Sequence, residues 1–259
     1  MGGSMRSLIA FPCEGETLIG TVDVAPGKTG LLIVSGGNEI RCGAHRGMAL
    51  LAQQVAAAGY PVFRYDRRGI GDSTGENAGF LGASPDLIAA ACAFRSHAWQ
   101  VDTLVGFGNC DAASTLALFG RAAGIDRLIL ANPWTVDDAD DLPPAAAIRA
   151  TYRQRLTSSA AWRKLVTGRI NIAKAVSGLR KISAKRPQVL ADKVVHAIEA
   201  WDDAAHVILA TADATAQAYA AAAAAGHMPA QGIDTASHSF ARESDRHALS
   251  DAVLAVLSR

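Results

Sequence analysis

Along most of the chain, short apolar runs alternate with alanine-rich windows whose apolar residues recur at helical spacing. The runs fall at 31–37 (LLIVSGG), 61–66 (PVFRYD), 103–108 (TLVGFG), 127–132 (RLILAN) and 206–213 (HVILATAD). Helical windows occupy 47–58, 84–96, 111–123 and 214–225, and a final run at 231–236 (QGIDTA) leads to a helix over 242–257. Alternation of this kind predicts a parallel sheet covered by helices on both faces. Two earlier runs, 7–13 (SLIAFPC) and 18–24 (LIGTVDV), flank the turn-like Glu14-Gly15-Glu16 and predict an antiparallel hairpin. The expected sheet is therefore eight-stranded and mostly parallel.

The alternation breaks after Pro133-Trp134, at TVDDADDLPP, and resumes only near 206. Residues 137–200 are helical in composition and lack β-branched alternation, which predicts a helical cap inserted over one end of the sheet. The core is then 5–136 together with 201–259, while Met1–Ser4 read as a cloning remnant ahead of Met5. One large domain with an insertion suits a chain of 259 residues.

Composition changes this picture little. A formal net charge of +1 and 19% charged residues suggest neither a nucleic-acid binder nor a disordered acidic protein. No apolar stretch has the length of a membrane span or a secretory core, so a cytoplasmic location is expected. The charge is uneven, however. From Arg149 to Lys193, 12 Lys and Arg stand against the single acid Asp192. Such a stretch is either a solvated helical face or the approach surface for an anionic or carrier-linked small molecule, or for a lipid surface.

Cys13, Cys42, Cys92 and Cys110 are scattered, with no spacing that would hold zinc. Disulfides are not expected in a reducing compartment. Each cysteine is thus either core filler or a reactive thiol. Cys110 has the context for reactivity. It follows an apolar run, sits within Gly-Asn-Cys-Asp-Ala, and opens a window of small residues. This is the strand–turn–helix setting of a nucleophile elbow, in which the residues two before and two after the nucleophile must be small. Gly108 and Ala112 are.

At such a turn the side chain projects from the carboxyl edge of the sheet at a helix N-terminus, where unpaired N–H groups favour a thiolate or an oxyanion. Nucleophilic catalysis there needs a base and an acid to orient it, arriving later in the chain. Asp213 closes the run HVILATAD, and His238 lies in the loop after the last run. Cys110, His238 and Asp213 are the expected triad. Asp213 could instead serve only as the N-cap of the helix it precedes, with Asp137 and Asp138 as reserve acids. His227 precedes the last strand and is expected at the opposite end.

An oxyanion hole needs one N–H from the residue after the nucleophile and another from the loop after the third strand. Asp111 supplies the first. Gly37 or Asn38 in SGGNEIR supplies the second, with Asn38 favoured because it follows the turn. The polar turn YDRRGIGDS, at 65–73, should lie at the same edge, with Asp66 and Arg67 anchoring loops or touching the substrate.

In this order, SGG, YDRRGIGDS, GNCDA, ATAD and SHSF together resemble the α/β-hydrolase superfamily over essentially the whole chain. More narrowly, GGNEIRCGAHRG, GFGNCDAAS, NPW and YRQRLTSSAAWRKLVTGRIN look like the exosortase A system-associated hydrolases. The resemblance implies the α/β-hydrolase fold and an acyl hydrolase or acyltransferase with no metal and no organic cofactor, acting on a small-molecule acyl substrate. Two departures from the commonest pattern of the superfamily stand out. Cysteine replaces serine, and Asp111 places a carboxylate beside it, raising the thiol pKa against the lowering by His238 and the helix N-terminus. A cysteine-dependent esterase or thioesterase, an acyltransferase with the same acyl-enzyme, and a non-catalytic binding protein are the three resulting expectations.

Overall fold

The computed structural model describes residues 6–136, 189–226 and 229–259. Its first element is a hairpin of β1 (Arg6–Cys13) and β2 (Glu16–Asp23), paired antiparallel from Arg6↔Asp23 to Cys13↔Glu16. The two turn residues, Glu14 and Gly15, have φ of +48° and +87°. Positive φ at both positions is the backbone of a tight turn whose twist matches that of the strands it joins.

Six further strands complete a single sheet: β3 (Thr29–Val34), β4 (Val62–Tyr65), β5 (Thr103–Asn109), β6 (Arg127–Ala131), β7 (Ala205–Ala210) and β8 (Ala230–Ile233). Their order is β1-β2-β4-β3-β5-β6-β7-β8, antiparallel as far as β4 and parallel beyond. The crossovers are α1 (Gly47–Ala57), α2 (Ser84–His97), α3 (Asp111–Phe119), α4 (Val189–Glu199) and α5 (Ala214–Ala222), with α6 (Glu243–Leu257) closing the described chain.

Strand side chains alternate between two apolar layers, as the two-residue period of a pleated strand requires. Leu31 and Ile33, Val105 and Phe107, and Ile129 and Ala131 pack with α1 and α6. Leu32 and Val34, with Leu104, Leu128 and Leu130, pack on the other face with α2, α3 and α4. On that second face Phe63 and Phe94 stack with centroids 5.6 Å apart. Truncating either ring would cost roughly 3–5 kcal/mol.

One boundary differs from expectation. The sequence boundaries give 189–199 to the inserted cap, yet this stretch is α4, whose Leu190, Val194 and Ile198 join the core layer beside Leu116 and Trp201. Among the described residues it is the helix that leads into β7. Amphipathic composition is the same for a helix that covers a sheet and one that covers a site, so the sequence pattern does not separate them. Residues 137–188, which hold most of the predicted cap and basic stretch, lie outside the described residues.

The chain leaves β3 through α1 to β4 on one side and returns through α2 to β5 on the other. Where strand order reverses in this way, the loops at the carboxyl ends of the two neighbouring strands diverge and leave a crevice. Here the crevice lies beyond Val34 and Asn109.

Candidate active site

A single residue, Cys110, separates β5 from α3. Its φ of +63° and ψ of −128° place it in a sparsely populated region that costs an L-residue roughly 1–3 kcal/mol. Neighbouring backbone holds it there. The Cys110 N–H donates to Ala131 O at 3.0 Å, and its carbonyl accepts from the N–H groups of Ala113 at 3.1 Å and Trp134 at 3.2 Å. The turn folds α3 tightly against the strand it leaves. A Cβ at Gly108 would stand 2.7 Å from the carbonyl carbon of Ala112 and 2.8 Å from the nitrogen of Ala113, so no larger residue fits.

His238 follows β8 in a loop that α6 braces. Thr235 Oγ1 donates to the buried Asp245 at 2.6 Å, and the Ser237 N–H donates to Thr235 Oγ1 at 3.0 Å. Two asparagines then grip the histidine's own carbonyl, which accepts from Asn109 Nδ2 at 3.1 Å and from Asn132 Nδ2 at 3.2 Å. Asn132 is fully buried and left-handed, with φ +43°. Its Nδ2 also donates to Asn109 Oδ1 at 3.0 Å, while its Oδ1 accepts the Ala210 N–H at 2.8 Å. The ends of β5, β6 and β7 are thereby tied to the histidine loop. Sequence reasoning missed both asparagines, although one adjoins Cys110 and the other ends RLILAN at the same sheet edge.

Asp213, just beyond β7, combines the two roles weighed for it. Its Oδ2 lies 3.0 Å from His238 Nδ1 and accepts the Ala216 N–H of α5 at 3.1 Å. Burial opposes ionisation of this carboxyl, but the bonds from His238 and Ala216 outweigh it and hold its pKa below the ordinary value. Conversely, hydrogen bonding to Asp213 and to the Cys110 sulfur pushes the His238 imidazole up to about 10, against the effect of burial. Both partners of the histidine thus favour its charged form.

Cys110 and His238 share one cleft with Gly36, Gly37, Asn109 and Ser239. The three expected triad residues come together. Asn38 does not join them. Its side chain is exposed and its Oδ1 accepts from Asn77 Nδ2 at 3.0 Å, so the loop residue at the cleft wall is Gly37. The N–H of Asp111 opens α3, beyond the reach of that helix's own carbonyls.

Asp66 and Arg67 sit behind the cleft as anchors. Asp66 is fully buried and accepts from the Arg41 backbone N–H at 2.5 Å, from the Arg41 guanidinium and from the Asp72 N–H at 3.2 Å. Arg67 is 3% exposed and donates to Gly37 O. Among the other thiols, Cys13 is buried, and burial together with Asp86 pushes its pKa up to about 11. Cys42 is half-buried in the loop before α1, and Cys92 is exposed on α2. His227, Asp137 and Asp138 lie outside the described residues. Among the described residues no three His, Cys, Asp or Glu side chains group to hold a metal ion, and no helix is long and apolar enough to cross a membrane.

Solved structures share this architecture over nearly the full chain. The esterase Pf2001 of Pyrococcus furiosus superposes with a TM-score of 0.65 at 13% identity, covering 99% of this chain and 90% of that one. The α/β hydrolase GrgF of Penicillium sp. sh18 gives 0.66 at 16% identity, covering 98% of both. The chain has the α/β-hydrolase fold. A thioesterase domain from the curacin biosynthetic pathway has the same fold, with a TM-score of 0.58 at 12% identity over 96% of this chain and 99% of that one. At the level of sequence, no family model and no curated protein matches. In an α/β-hydrolase fold, a nucleophile belongs at the turn after the fifth strand. This chain carries a thiol there, in one cleft with an imidazole held by a carboxylate.

Proposed function

We propose that the protein is a cysteine-dependent acyl hydrolase acting on ester or thioester bonds of a small-molecule substrate. One observation carries this reading: Cys110, at a strained positive φ, faces the same cleft as His238, whose Nδ1 is bonded to Asp213. Strain held in place by surrounding structure is characteristic of working sites.

The chemistry follows from these positions. His238 Nε2 takes the Cys110 proton and the sulfur attacks the acyl carbonyl, forming a C–S bond while the carbonyl electron pair moves onto oxygen. The N–H of Asp111 and the loop after β3 hold that oxyanion. Collapse breaks the bond to the leaving alkoxide or thiolate, which takes the proton from His238. Water, deprotonated by His238, then attacks the thioester, and cleavage of the C–S bond returns the thiol. An amine or alcohol in place of water would make the same site an acyltransferase. The cationic stretch 149–193 supports an anionic or carrier-linked acyl donor.

The test is intact-protein mass after brief exposure to short p-nitrophenyl esters and acyl thioesters, for wild type, Cys110→Ala and His238→Ala. An acyl adduct is expected on Cys110, absent from the alanine variant and slow to form without His238. Its decay in water or with added amine separates hydrolase from transferase. If no donor acylates Cys110 or releases nitrophenol, the catalytic reading fails and a binding role takes its place.

A further inference from the structure

The loop N–H that an oxyanion would need is already occupied. Gly37 N–H donates to Asp111 Oδ1 at 2.7 Å, although Asp111 is the residue whose own N–H forms the other half of the hole. The absent side chain of Gly36 makes room for this contact. A Cβ there would meet Asp111 Oδ1 at 2.7 Å and Asn109 O at 2.7 Å, and it would lie 3.6 Å from Cys110 Cβ. The carboxylate oxygen therefore lies along the same wall as the nucleophile, at a donor meant for developing negative charge.

A second partner stands beside it. Arg67 Nη2 is 4.0 Å from Asp111 Oδ2, at the limit of an ion pair. Arg67 is 3% exposed, and its Nε and Nη1 are buried without partners. A buried guanidinium with two unpaired nitrogens is short of acceptors, and a planar fork of this kind binds a carboxylate best through two bonds. Arg67 also donates to Gly37 O, so it reaches the peptide flanking the contested N–H.

We infer that the Asp111 carboxylate is a resident stand-in for the oxyanion, closing the hole at rest and withdrawing toward Arg67 when an acyl carbonyl enters. This rests on the proposed thiol acyl transfer. In the acylation step, the Cys110–carbon bond forms as the carbonyl pair moves onto oxygen, and that oxygen competes directly with Asp111 Oδ1 for the Gly37 N–H. A carboxylate left in place would both withhold a donor and repel the new charge. Asp111 thus sets which acyl groups are accepted. Acyl groups electrophilic enough to react while the Gly37 N–H is still contested, such as activated esters and thioesters, are accepted, whereas ordinary esters, which need the full hole, are held back.

The experiment compares two reactions at Cys110 in wild type, Asp111→Asn and Asp111→Ala. Iodoacetamide alkylation is displacement at a saturated carbon and develops no oxyanion. Acylation by p-nitrophenyl butyrate does develop one. The ratio of the acylation to the alkylation rate therefore isolates the hole from any change in thiol reactivity. In Asp111→Ala, which leaves the Gly37 N–H no side-chain acceptor, the ratio should rise by about tenfold or more, since one such donor is worth roughly 10²–10³ in rate. In Asp111→Asn, whose amide oxygen can still accept that N–H, it should rise less. Ethyl butyrate should gain more than the nitrophenyl ester. A ratio that falls in both variants would overturn the inference and make Asp111 a brace for the Gly37 loop. A wild type in which neither reagent modifies Cys110 would overturn the thiol chemistry itself, which the ratio tells apart from failure of the gate.

Discussion

At the scale of single residues, the site depends on one carboxylate oxygen with two tasks. Asp213 Oδ2 both caps α5 and holds His238. Asparagine can still accept from the Ala216 N–H but carries no charge for the imidazole. Asp213→Asn should therefore keep the cap but lose the stability of the charged pairing with His238, and lower kcat/KM by roughly 10³–10⁴-fold, the scale seen when a triad acid loses its charge. Asp213→Ala should lose a comparable rate and also about 1 kcal/mol of cap. Equal stability of the two variants would show that the cap contributes nothing.

The shifted histidine adds a pH signature. The His238 pKa lies near 10 in the fold, above its ordinary value of about 6.5. A group whose pKa rises on folding stabilises the fold fully below its unfolded value and loses that contribution as pH climbs through the folded one. The stability advantage of wild type over His238→Ala should accordingly be largest below about pH 6.5 and vanish above about pH 10. For Asp213 the sign is opposite: its depressed pKa gives stability that is present above the normal carboxyl range and lost as pH falls through the lowered value. Urea midpoints across the pH range check both, and a His238→Ala difference independent of pH would contradict the charged pairing.

At the scale of elements, the strands and crossover helices were legible because each run changes period where the backbone does. The run TLVGFG becomes β5, and the window opening at 111 becomes α3. The tight turn at Cys110 was legible too, because Gly108 and Ala112 record a steric demand that few other turns make. The clamp on the histidine was not. Asn109 and Asn132 meet across neighbouring strands, 23 residues apart in sequence, and grip a backbone carbonyl 129 and 106 residues from them. No local spacing encodes that. The choice between Gly37 and Asn38 is not encoded locally either, since one residue of loop path decides which N–H turns toward the cleft.

Because the clamp positions His238 without touching substrate, its removal should alter turnover more than binding. Asn132→Ala leaves the His238 carbonyl with one donor, and it removes the partners of the Ala210 N–H and of Asn109 Oδ1. The expected stability loss is roughly 1–3 kcal/mol. Among folded molecules, kcat should fall by at least about tenfold with KM little changed, because small displacements of a catalytic group are costly. Counting active molecules by acyl burst separates the two effects. A full kcat per active site would mean that Asn132 serves the sheet alone.

At the scale of the whole molecule, charge is distributed in a way that the local site does not explain. The chain is nearly neutral at +1, yet 149–193 carries 12 cationic side chains against one acid, leaving the remainder acidic. Composition alone made this visible, but it could not say whether the stretch faces the cleft, since periodicity carries no docking geometry. Function can report it instead. A concentrated cationic stretch attracts anionic donors over distances set by ionic strength, about 30 Å at 0.01 M but only about 3 Å at 1 M. If 149–193 guides the donor, KM for a succinyl or carrier-linked thioester should rise across that salt range, while KM for a neutral butyryl thioester stays level. The neutral donor removes general salt effects on the triad from the comparison. Parallel behaviour of the two donors would leave the cationic residues as a solvated face and return donor selection to the cleft itself, where Asp111 and Gly37 stand.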